Sequence, residues 1–157
     1  MTQIAISDDE SMMVTAGQAY LEAANWIITH PESPGQSYML LPFHTLLGLS
    51  LEMLLKTVLL RQGMPARDFA TRRFGHDLVA LRDEARNRGF RSQENGIDEI
   101  IAHIAPNYGS HDYRYVKPNS TLNKVNAVPA LNAMNNLLIE VGAMVGLPVV
   151  HKIVRVG

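Results

Sequence analysis

The sequence contains no cysteine, and that absence removes disulfides, thiolate nucleophiles and thiolate zinc sites at once. Aromatic residues are sparse at 6%, and charged residues reach only 18% of the 157 positions, against an average of about 25%. Charge of either sign is not in excess, because 14 basic residues face 15 acidic ones for a net charge of −1. No global electrostatic footprint for nucleic acid or an anionic membrane follows, so any such contact must be local. The N-terminal MTQIAISDDE lacks the basic and apolar regions of a signal peptide, and a cytoplasmic protein is expected. There is no internal repeat, glycine-rich phosphate loop, paired-histidine helix motif or nucleophile elbow.

Apolar residues make up 46% of the chain, enough for one globular domain over residues 1–157 with a continuous core. Low charge in such a chain points to surface covered by a partner, and a homodimer is expected. The longest apolar stretch, Tyr38 to Leu60, has nearly the length that crosses a bilayer, roughly 20 residues. Glu52 and Lys56 oppose that reading, since each would cost about 2.5–3.5 kcal/mol near a bilayer centre. A helix buried in a bundle suits the same residues better.

Periodicity and punctuation predict core helices at about 8–30, 42–62, 77–88, 93–104 and 126–145. In the first, Asp8, Asp9 and Glu10 suit the positive end of a helix dipole, and Met12, Ala16, Ala19, Tyr20, Ala23 and Ile27 form the expected inward face. The second accepts Pro42 in its first turn and ends at Gly63 in a left-handed stop. It is apolar on nearly every side, apart from a narrow stripe of Thr45, Gly48, Glu52 and Lys56. The third presents Leu78, Leu81 and Ala85, and the fourth Ile97, Ile100, Ile101 and Ile104 before an expected stop at Pro106. The fifth repeats Val128, Leu131, Met134, Leu138, Val141 and Val145. Residues 147–157 are β-branched and read as a short extended tail. The expected fold is all-α, an antiparallel four- to five-helix up-and-down bundle.

Three groups carry chemistry. Glu52 and Lys56 are spaced to pair along the second helix, and partial burial would require a further polar partner, for which His76 and Arg114 are the candidates. Gly75-His76-Asp77-Leu78 opens the third helix, where Asp77 can cap and His76 can serve either as a proton acceptor or as a hydrogen-bonded pin. His111-Asp112-Tyr113-Arg114-Tyr115 could bind metal, hold phosphate or stack on a base, or form an ordered loop held by its aromatics. No second metal-ligand pair at recognisable spacing accompanies it, and neither a metal nor another cofactor is expected. Arg67, Arg72 and Arg73 make a basic connector open to solvent or to a local phosphate.

The order of SLEMLLKTVLLRQG, FGHDLVALRDEA, an RY-containing loop and a closing apolar helix resembles the higher eukaryotes and prokaryotes nucleotide-binding (HEPN) domain family over about Leu46 to Leu138. The resemblance implies a helical bundle, frequently dimeric, in a family that includes ribonuclease toxins, defence proteins and nucleotide-binding partners. Its ribonuclease members carry an arginine and a histidine separated by four to six intervening residues. Here the nearest approach, Arg72 to His76, is one residue short, and no histidine follows Arg114 before Thr121. The expectation is therefore a nucleotide-, RNA- or partner-binding module with Glu52, Lys56, His76, Arg114 and Tyr115 as ligand contacts. The alternatives are a divergent toxin or defence nuclease using His76, His111 and Arg114, and a structural oligomeric scaffold. No reaction is identified by the residues alone, and a ribonuclease is the activity to test.

Overall fold

The computed structural model describes residues 9–30 and 39–147. Five α-helices stand among them: α1 (Asp9–Thr29), α2 (Leu40–Arg61), α3 (Leu78–Asn87), α4 (Gly96–Gly109) and α5 (Ala127–Met144). No strand occurs among the described residues, and all but Leu147 of the expected extended tail lies outside them. The all-α bundle expected from periodicity is what the chain forms.

Helix α2 sits at the centre and packs against each of the other four, while the pairs α1 and α5, α5 and α4, and α4 and α3 close an arc around it. Phe43, Leu47, Leu51, Leu54, Leu55 and Leu59 of α2 are all fully buried, each contributing about 1.5–3 kcal/mol relative to an exposed side chain. The helix is long and apolar enough to cross a membrane, yet 72% of its apolar window is buried inside the bundle. Gly63 adopts φ +86° and ends it in the left-handed conformation.

The inward face of α1 differs from the expected one. Val14, Gly17, Leu21, Ala24 and Ile27 are buried, whereas Met12, Ala19 and Ala23 face outward and Ala16 and Tyr20 sit at the margin. Close approach decides the orientation: Ser50 Oγ of α2 donates to the Gly17 carbonyl at 2.7 Å, and a Cβ on Gly17 would stand 3.1 Å from Leu54 Cδ2. The glycine therefore turns toward α2, and the alanines turn away.

Helix α4 runs through Pro106 to Gly109 instead of stopping before the proline. Pro106 falls in the last turn, where its missing N–H forfeits one helical bond, and burial of Asn107 and Tyr108 favours three further helical residues. Helix α5 buries Leu131, Met134, Leu138 and Val141 as expected, but Val128 is exposed and Val145 only half-buried. The basic connector forms a 3-10 turn over Ala66–Ala70, anchored by the buried rings of Phe69 and Phe74.

Candidate functional site

The site begins with a carboxylate that the fold cannot leave alone. Glu52 projects from the middle of α2 and is only 2% exposed, so its charge must be matched inside the bundle. Lys56, one turn on, donates to Oε1 at 2.6 Å. The other oxygen, Oε2, takes two donors, His76 Nδ1 at 2.9 Å and the Tyr108 hydroxyl at 2.5 Å. Three elements thus meet on one carboxylate: α2, the turn before α3, and the last turn of α4.

Each partner is positioned by a local device. Asp77 caps α3, its side chain accepting from the Ala80 amide at 2.9 Å, which fixes where His76 leaves the turn. Lys56 donates a second bond to the Gly75 carbonyl at 3.0 Å and so holds the same turn against α2. Tyr108 lies over Gly48, where an added Cβ would come within 2.3 Å of its ring. Burial, then the negative charge of Glu52, pushes the Tyr108 phenol well above its ordinary pKa, with the nearby Arg114 guanidinium opposing the shift. The phenol therefore remains a proton donor to the carboxylate.

His76 is the member that faces outward. Its side chain is 42% exposed, and with Nδ1 donating to Glu52 the second ring nitrogen, Nε2, is the one left for the cleft, an acceptor in the neutral ring and a donor in the protonated one. Lys56, Arg72, Gly75, His76 and Asp77 line one side of a cleft of about 980 Å³, and Ala102, Ala105, Pro106, Gly109 and Ser110 of α4 and its cap line another. His111 stands beside His76 with ring centroids 4.9 Å apart and planes at 76°. His111 holds φ +62°, an uncommon conformation for a residue with a side chain, and its Nδ1 is buried with no hydrogen-bond partner.

Glu52, Lys56 and His76 converge as the sequence suggested, and Arg114 borders them through Tyr108. Tyr115 is 70% exposed and is not among the residues lining the cleft. Asp112 is held within its own loop by Ser110 and Asn107, which keep its carboxyl below the usual range. Tyr108 was not legible as a partner, although it continues the spacing of Ile97, Ile101 and Ile104 by one more turn. Among the described residues no three His, Cys, Asp or Glu side chains form a metal-holding group.

His44, in contrast, is buried and works purely in the fold. His44 donates from Nδ1 to the Leu40 carbonyl at 2.6 Å and accepts the Val125 amide on Nε2 at 3.0 Å, an arrangement available only to the neutral ring. Burial lowers its pKa accordingly. Tyr113 stacks on it at 5.1 Å and donates to the Asn123 carbonyl at 2.7 Å, tying the loop after α4 to α2.

No family model, no curated protein and no solved structure matches the chain. Its function must be argued from the site itself.

Proposed function

We propose that this chain is a HEPN-like binding module whose cleft takes a phosphate-bearing ligand, a nucleotide or an RNA end. The observation that carries the reading is the outward presentation of His76: Glu52 consumes Nδ1 while the opposite edge opens into the cleft beside Lys56 and Arg72. One buried carboxylate thus orients the Lys56 ammonium as a donor and, when the imidazole carries both protons, His76 Nε2–H as a second, while Arg72 lines the cleft and Arg114 adds positive charge near Tyr108. Charge-assisted bonds of this kind contribute roughly 1.5–3 kcal/mol each. A 5′-phosphorylated oligoribonucleotide should bind the wild-type chain saturably, and Arg114→Ala should weaken it about tenfold with little change in melting temperature. Equal loss of stability without a binding effect would leave Arg114 a structural residue.

A second reading, an RNA-cleaving centre, draws on the closeness of His76 and His111, two groups able to act as base and acid with Arg114 near the developing phosphate charge. Cleavage of total RNA should then vanish in His76→Ala. Intact RNA after long incubation with the wild-type chain, with and without divalent metal, rejects this reading.

The outward face of α1 supports a homodimer. Met12, Ala16, Ala19, Ala23 and Trp26 recur at spacings of four and three, and Trp26 is 59% exposed. An antiparallel second copy with its two-fold near Leu21 would set each Trp26 over the other copy's Ala16, large against small. Trp26→Glu should convert a dimer to a monomer by solution mass. A wild-type monomer would reject the proposal.

A further inference from the structure

The pairing of His76 with His111 is not explained by the fold. Residue 111 holds a left-handed φ of +62°, which is strained for a side-chain-bearing residue, and the turn is fixed by the His111 amide donating to the Tyr108 carbonyl at 3.1 Å and the Tyr115 amide donating to the His111 carbonyl at 2.9 Å. The ring so placed then leaves Nδ1 buried without a partner, a penalised arrangement that native structures seldom keep without a use.

We propose that His76 and His111 are two ligands of a site for a divalent transition ion of the zinc type at the inner edge of the cleft that His76 lines, His76 binding through Nε2 and His111 through its buried Nδ1. Three independent features support it. Imidazole nitrogens bind zinc at about 2.0–2.1 Å, and the ring centre lies roughly 1.1 Å behind the nitrogen. Two such rings on one ion at angles of about 90–109° have centroids roughly 4.5–5.2 Å apart, and the observed separation is 4.9 Å with planes at 76°.

The second feature is the carboxylate behind His76. Glu52 accepts from Nδ1 at 2.9 Å, which fixes the tautomer with Nε2 open and raises its basicity, the usual backing of a metal-bound histidine. Lys56 neutralises the same carboxylate at 2.6 Å, so a neutral ion pair, and not a bare cation, stands behind the ring. The third is the unpartnered nitrogen of His111 itself, which an ion would satisfy. With no third protein ligand among the described residues, the remaining positions belong to water or a ligand entering past His76, which lines the cleft. The site does not depend on the phosphate reading.

The test is calorimetric titration of the full chain, stripped with chelator, using zinc ion alone. One ion per chain should bind saturably. His76→Ala should weaken it at least tenfold, as should His111→Asn, which removes the imidazole while tolerating the left-handed backbone. Glu52→Gln should weaken it about 10- to 100-fold, and His103→Ala, on the exposed side of α4, should leave it unchanged. Circular dichroism melts of each variant identify those that fold, and in a variant that does not, loss of histidine ring signals to paramagnetic cobalt broadening in the wild-type chain replaces the comparison. Absence of saturable binding, or full affinity in folded His111→Asn, overturns the proposal.

Discussion

Tyr108 reaches Glu52 because residue 48 has no side chain. A Cβ at Gly48 would stand 2.3 Å from Cδ2 and 2.4 Å from Cε2 of the tyrosine ring, so the glycine on α2 makes the space through which α4 delivers its hydroxyl. Gly48→Ala should destabilise the chain by about 1–3 kcal/mol through overpacking, despite alanine's better helix propensity. Urea denaturation measures it, and an unchanged midpoint would show that the ring relocates freely.

The buried charges make a coupled prediction. Glu52→Gln strands Lys56 in a site where its side chain is only 9% exposed, and breaking such a pair from one side costs about 3–5 kcal/mol. Removing both charges, in Glu52→Gln with Lys56→Met, should recover part of that loss, because the amide oxygen still accepts from Tyr108 and His76 while no unpaired charge stays buried. A double-mutant cycle by chemical denaturation checks it. Additive losses would indicate that the two side chains act independently.

Tyr108→Phe tests the third donor alone. It keeps the ring against Gly48 and removes only the hydroxyl bonded to Oε2 of Glu52. A loss of about 1–3 kcal/mol is expected from a buried charged acceptor deprived of a donor, with the helix content by circular dichroism unchanged.

His44 sets a pH dependence. Its pKa is lowered in the fold by burial, so below the ordinary histidine value of about 6.5 the unfolded chain binds more protons than the folded one. Its contribution to stability is present in full above that value and is lost as the pH falls below it toward the folded pKa. Urea midpoints should therefore decline from pH 7 to pH 5, and His44→Gln should flatten the slope while lowering stability at pH 7. A slope unchanged by the substitution would assign it to other groups.

These outcomes also show which parts of the molecule could be read in advance. Helix α2 was legible because nearly every side of it is apolar and Gly63 marks its end, both strong one-dimensional signals. Its polar interruptions at Glu52 and Lys56 pointed correctly to His76. On α1 the signal was weak, since alanines carry little burial preference and the decisive contact belongs to Gly17, whose role depends on Ser50 and Leu54 across the interface. Pro106 concealed Tyr108, because a proline in a final turn and a proline that stops a helix read alike. The unusual φ at His111 arises from a turn between α4 and the following loop, and no local composition announces it.

Glu52 orients His76 toward the cleft, where we propose that it meets a phosphate. The most direct measurement is the affinity of a 5′-phosphorylated oligoribonucleotide for the wild-type chain and for His76→Gln, alongside their melting temperatures. Because His76 is partly exposed and loses one bond, the variant should melt within a few degrees of wild type and bind at least tenfold more weakly. Equal affinity in the two proteins, or no saturable binding by either, would show that His76 does not hold a phosphate in the cleft.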